Sequence, residues 1–296
     1  MIRTRGSAPR IRNVLLAEAA PIVIGTEFES VVHIWDYDRG MQVASFQTIF
    51  DPGGRRVAVS PDSAIVFAAA YGRGGVAAYC AKTGELIWQR KDIRKVQRLV
   101  AFEQFLGVSL EGLSSLILRA SDGSTETRVV RTNEVWGFSG SGFVVGASSR
   151  EIFIYAWPSL DRLARIPMTS AGVLDVGISN SEIIVSEMNF KVRAFDRKTF
   201  EKMWEYDEPN ERNITTLFPV GGSDVCYAVA FRTKEPYRSL VGRFDCKTGE
   251  FAKILEPVRL FAAVNTAGDR LIMTEGEVYS LTANGEAELT HKLDWN

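Results

Sequence analysis

One turn-and-strand phrase recurs along this chain and limits what it can fold into. Residues 79 to 88 read Tyr-Cys-Ala-Lys-Thr-Gly-Glu-Leu-Ile-Trp, residues 195 to 204 read Phe-Asp-Arg-Lys-Thr-Phe-Glu-Lys-Met-Trp, and residues 244 to 250 read Phe-Asp-Cys-Lys-Thr-Gly-Glu. Shorter echoes are Trp35-Asp36-Tyr37-Asp38-Arg39-Gly40, Ser121-Asp122-Gly123-Ser124 and Ala283-Asn284-Gly285-Glu286. With the turn glycine or its stand-in as marker, the series is Gly40, Gly84, Gly123, Leu160, Phe200, Gly249 and Gly285. Its spacings are 44, 39, 37, 40, 49 and 36 residues. Their mean of about 41 falls in the roughly 40–45-residue range of four-stranded propeller blades.

Each unit has the same internal order. In the second, residues 56–60, 64–71, 76–80 and 86–90 are short apolar runs separated by Pro-Asp-Ser, Gly-Arg-Gly-Gly and Lys-Thr-Gly-Glu turns. The fifth repeats it over 173–178, 182–187, 191–196 and 200–206. Seven units occupy residues 12 to 293, so the predicted fold is all-β: a closed propeller of seven four-stranded antiparallel blades. It forms a single domain over 12–296, preceded by an N-terminal tail at 1–11. The last unit owns four strands, with 287–293 outermost, so the ring is expected to close without residues 2–5 completing it. Glycine at the marker supplies positive φ, and the preceding Asp, Asn or Thr bonds back to the turn. The aromatic before the turn and Trp88 or Trp204 after it are expected to pack on adjacent strands of one hairpin.

The Asp-x-x-Thr-Gly-Glu-x-x-Trp cadence resembles the quinoprotein-type propeller repeat. Val31-Val32-His33-Ile34-Trp35-Asp36 resembles the Trp-Asp ending of a WD-repeat blade. The resemblance spans the chain as architecture and implies fold far more than activity. Quinoprotein dehydrogenases are longer and eight-bladed, so no quinone or other cofactor is expected.

The chain carries 35 basic and 36 acidic residues, a formal net charge of −1, which provides no global field for nucleic acid or an anionic membrane. Neither is expected as a partner. Three cysteines make no disulfide framework, and no signal-type segment opens the chain, which points to the cytoplasm. Only His33 and His291 are present, too few for a histidine-rich metal site. His33 reads as a satisfied core residue and His291 as a solvated rim residue, which leaves no base for a nucleophilic triad. Asp175, in a predicted channel-lining strand, is the one acid placed for carboxylate chemistry of the lyase or glycosidase type. A hydrogen-bonded or solvated channel acid is the expected role.

Binding is expected on the face formed by second-to-third strand loops and between-blade connections. Two long segments near the sixth blade, 206–213 and 231–238, carry anchor-type residues. The candidate contact residues are Tyr237, Arg232, Arg238, Lys234, Arg212, Asp207 and Glu208. A second, basic patch comprises Arg73, Arg90, Lys91, Arg94, Lys95 and Arg98, along the connection between the second and third blades. The sequence therefore reads as a non-enzymatic protein-binding propeller, an adaptor or inhibitor, in its narrowest form an immunity or antitoxin protein that occludes a toxin or enzyme. The alternative is a propeller enzyme with an acidic channel site.

Overall fold

A computed structural model describes residues 11–27, 30–49, 55–72, 74–112, 114–169, 172–232, 239–258, 262–282 and 286–295. Seven four-stranded antiparallel sheets follow one another, each built from four consecutive strands in the order inner to outer. The first runs through Asn13–Leu16, Ile22–Thr26, Val31–Asp36 and Met41–Gln47. The others occupy 57–90, 96–130, 134–167, 173–207, 212–258 and 262–292; we number them blades 1 to 7. The first strands of blades 7 and 1 touch, which closes the ring.

Burial explains the composition of each strand. A second strand such as Glu182–Glu187 is buried at every residue, because both of its faces meet a neighbouring blade. An outer strand such as Met41–Gln47 is mostly exposed. Strand edges predicted for the second blade shorten to Val57–Val59 and Ile65–Ala69, while Val76–Cys80 and Leu86–Arg90 stand as expected. Each of the seven blade junctions has its own apolar cluster. Ile24, Ile34, Val57 and Val66 lie between blades 1 and 2; Val185, Ile183 and Ile154 lie between blades 4 and 5.

The turn markers behave as one series. Gly40, Gly84, Gly123, Leu160, Phe200 and Gly249 all have positive φ, and each joins the third strand of its blade to the fourth. Leu160 and Phe200 adopt φ of 59° and 60° despite their side chains. The Asp that opens the phrase caps the turn: Asp196 Oδ1 accepts from the Lys198 and Thr199 amides at 2.8 and 2.7 Å. Asp245 does the same for Lys247 and Thr248 at 2.9 and 3.0 Å. Gly285 and residues 1–10 of the expected tail lie outside the described residues; Ile11, the tail's last residue, packs against the apolar cluster between blades 7 and 1.

The tryptophans do something other than the expected hairpin packing. Trp88 Nε1 donates to Ala120 O at 2.8 Å, and Trp204 Nε1 donates to Cys246 O at 2.5 Å. Both acceptors belong to the turn of the next blade. Each indole also lies on that turn's glycine: a Cβ at Gly123 would come within 2.6 Å of Trp88, and one at Gly249 within 2.7 Å of Trp204. Glycine is thus required twice there, for its φ and for the approach of the ring. The repeat is a latch between neighbouring blades.

Closure uses side chains. Trp295 packs edge-on against Trp35 of blade 1 at 4.3 Å between ring centroids. His291, expected to be a solvated rim residue, is half-buried, and its Nε2 lies 2.8 Å from Tyr37 O in blade 1. A carbonyl only accepts, so Nε2 carries the proton. Trp295→Ala is expected to cost about 2 kcal/mol, below the usual range for a buried tryptophan because a residue near the end of the last blade lets its neighbours relax. An unchanged urea midpoint would show that closure does not rest on this indole.

Candidate functional site

Asp175 lies in strand Val173–Ile178, on the central channel, and is buried. Its Oδ1 accepts from Arg98 Nη1 at 2.6 Å and from Trp136 Nε1 at 3.0 Å; its Oδ2 accepts from the Leu217 amide at 2.9 Å. These four residues come from the inner strands of blades 3, 4, 5 and 6, so one carboxylate ties four consecutive blades together. The Arg98 guanidinium also stacks 4.8 Å from the Trp136 ring centroid and reaches Glu134 Oε2 with its Nε at 3.2 Å. Burial pushes the Glu134 carboxyl above the usual range, with Arg98 pulling the other way. A glycosidase-type acid must be free to hand over a proton or attack a sugar. Asp175 instead spends both oxygens on the fold.

Arg98 is therefore a channel residue and does not belong to the surface basic patch. In strand Val96–Phe102, Val96 and Arg98 are buried while Gln97 between them is exposed. That alternation was the signal available in the sequence. Arg90 is also committed: it pairs with Asp92 at 2.7 Å and donates to Gly123 O, at the latch turn of blade 3, also at 2.7 Å. Lys91, Arg94 and Lys95 remain exposed on the connection, and Arg73 lies outside the described residues.

Beside that connection stands Tyr71, 45% exposed. Its hydroxyl donates to Glu111 Oε2 at 2.7 Å, and Lys95 Nζ pairs with the same carboxylate at 3.3 Å. The Tyr71 hydrogen bond, then Lys95, hold the Glu111 carboxyl below its ordinary value. Backbone bonds from Lys95 N to Tyr71 O and from Glu111 N to Lys95 O, both 2.9 Å, fix the three segments together. The aromatic ring and the cations are thus presented in fixed relative positions. Ile49, Val130 and Met188 are also exposed at this end of the blades.

Blade 6 differs from expectation. Its strands Arg212–Pro219, Val225–Arg232, Ser239–Asp245 and Phe251–Val258 are 8, 8, 7 and 8 residues long. Much of the extra length read as loop is strand, and the connection from blade 5 is only residues 208–211. Glu208 is buried and accepts from the Asn210 and Arg212 amides at 2.8 Å each. Arg212 turns back onto Glu208 at 3.4 Å and onto Glu256 at 2.8 Å, and Asp207 pairs with Lys191 at 2.6 Å. Glu208 and Arg212 thus serve an ion network of blade 6, whereas Asp207 and Lys191 pair within blade 5 and the Asp207 side chain stays exposed. Arg232 is half-buried at a strand end; Lys234, Tyr237 and Arg238 lie outside the described residues.

No protein-family model and no curated protein matches this chain. Solved structures do. The structure of RRP9 WD40 repeats is 11% identical with a TM-score of 0.67, covering 90% of this chain and 87% of that one. A chain of the mitotic checkpoint complex is 14% identical with a TM-score of 0.71, covering 95% and 89%. BamB from Moraxella catarrhalis is 14% identical with a TM-score of 0.66, covering 98% and 91%. At these identities the likeness is one of fold. The chain is a seven-bladed β-propeller whose architecture is similar both to WD40-repeat structures and to BamB.

Proposed function

We propose that this chain is a protein-binding propeller with no reaction of its own, docking its partner over blades 2 and 3 on the face that carries Tyr71. The observation that carries this reading is the exposed, braced Tyr71–Glu111–Lys95 group beside Lys91 and Arg94. A rigid aromatic with flanking cations is the composition of an interface anchor, because little conformational freedom is lost on docking. The saturated hydrogen bonding of Asp175 supports the non-enzymatic half of the proposal. A similar propeller occurs in the mitotic checkpoint complex, an assembly.

The partner is inferred to be a protein with an acidic docking surface, met in the cytoplasm. Support for that compartment is the set of free cysteines, Cys80, Cys226 and Cys246, of which the last two are buried in one apolar cluster. The narrower form, an immunity or antitoxin role, adds that docking silences the partner, and an activity assay of the captured partner with and without this chain separates the two.

For the test, the partner captured by the tagged chain is titrated against bait variants. Tyr71→Ala and Arg94→Glu are each expected to weaken binding about tenfold or more. Charge reversal at Arg94 should also slow association and reduce its salt dependence. Full affinity in both variants, with loss in Tyr237→Ala, moves the site to blade 6.

A further inference from the structure

The channel beneath the Arg98–Asp175 bridge holds a second arrangement that the ring's own architecture does not use. A cavity of about 550 Å³ is walled by Leu15, Leu16, Val57, Leu99, Phe218 and Val264, with a small number of polar groups among them. That volume and composition match sites for small molecules, which are concave, mostly apolar and about 300–1,000 Å³ in size. A second cavity of about 470 Å³ opens on the turn side of the same channel, and Arg98, Asp175 and Glu18 line both.

Two charged groups in the larger cavity stand apart from the hub. Arg55 donates one hydrogen bond, to Thr215 O at 3.2 Å, and forms no ion pair among the described residues. Most of its planar fork is thus left without an acceptor. Desolvation and the Arg98 cation nearby push its guanidinium down to about 10, with Asp175 and Glu134 pulling the other way; it stays charged at neutral pH, and its side chain is exposed at the cavity wall. An incoming anion supplies the missing acceptors. Glu18 also lines the cavity, and among the described residues it too has no hydrogen bond or ion pair; burial raises its carboxyl above the usual value. Arg98 already serves Asp175 and Glu134.

We propose that the larger channel cavity binds a small monocarboxylate with an apolar body, its carboxylate on the Arg55 guanidinium and its chain against Leu15, Leu99 and Phe218. The guanidinium fork accommodates a carboxylate through two parallel N–H···O bonds. Glu18 and the neighbouring acids repel a second negative charge, which favours a monoanion over phosphate or a polycarboxylate. None of Tyr71, Lys91, Arg94, Lys95 or Glu111 lines this cavity, so the site stands or falls independently of partner docking.

Calorimetric titration of the full chain with octanoate tests it, with octylammonium and inorganic phosphate as comparison ligands. Octanoate is expected to saturate one site with a dissociation constant on the order of 0.1–1 mM. Octylammonium and phosphate are expected not to saturate up to about 10 mM, because one reverses the head-group charge and the other carries more charge with no apolar body. Arg55→Gln should weaken octanoate at least tenfold. Thr216→Trp, which fills the cavity without changing charge, should abolish binding and decides the matter should Arg55→Gln fail to fold. Lys82→Gln, on an exposed turn of blade 2, should bind as the parent does. Absence of saturation by octanoate, equal affinity for octylammonium, or unchanged octanoate binding in Arg55→Gln or Thr216→Trp each overturns the proposal.

Discussion

Asp175→Asn is expected to destabilise the ring by about 3–5 kcal/mol, the cost of removing one partner from a buried charged pair. The amide is isosteric, so the loss is electrostatic and leaves no cavity. Asparagine keeps one oxygen for Trp136 and Arg98, but turns an N–H₂ donor toward the Leu217 amide, itself a donor. Arg98 then retains Glu134 at 3.2 Å as its remaining ionic partner in a buried setting. Because four blades share this carboxylate, the effect should appear as a lower melting temperature of the whole domain, by roughly 5–8 °C at this size. A melting temperature within about 2 °C of the parent would mean that the channel acid is not structural, and would reopen the enzymatic reading.

Trp204→Ala is expected to cost about 3–5 kcal/mol, a figure typical of buried tryptophan removal. The indole stacks on Phe244 with centroids 5.7 Å apart, bonds Cys246 O and covers Gly249. Its loss opens a void at the junction of blades 5 and 6 and strands a buried carbonyl. The complementary change, Gly249→Val, attacks the same latch from the other side. It forces a β-branched residue to φ near 76° and drives a side chain into the Trp204 ring. Both variants should unfold at lower urea than the parent. Trp204→Phe should recover part of the loss, since it restores ring area without the N–H.

The fold was legible because its turn chemistry is local. An Asp that caps, a Gly with positive φ and a fixed spacing of about forty residues are written within a few positions of each other. The spacing also placed Leu160 and Phe200 at the turn marker, where the structure gives both positive φ although neither side chain favours that region. Contacts between blades were less visible. Trp88 and Trp204 look like hairpin residues until one repeat is added, when Gly123 and Gly249 fall under them. Arg98 was hidden in a run of basic residues, because charge density does not show which members of an alternating strand face inward. Arg212 and Glu208 read as exposed loop residues, but the strand begins at Arg212 and draws both into a buried ion network. Asp175 was recognisable as a channel acid, yet its partners come from three other blades and no local pattern names them.

A double-mutant cycle on Arg98→Met and Asp175→Asn tests most directly whether the channel polar groups hold the ring together. Removing both partners takes the Asp175 charge away along with its Arg98 counter-ion and puts an apolar side chain of similar length beside Trp136, while Glu134 loses Arg98 in the single and the double variant alike. The double variant is expected to be more stable than the sum of the single losses by about 2 kcal/mol or more. Single losses that add to within about 0.5 kcal/mol would contradict it, because Arg98 and Asp175 would then not be acting as one unit.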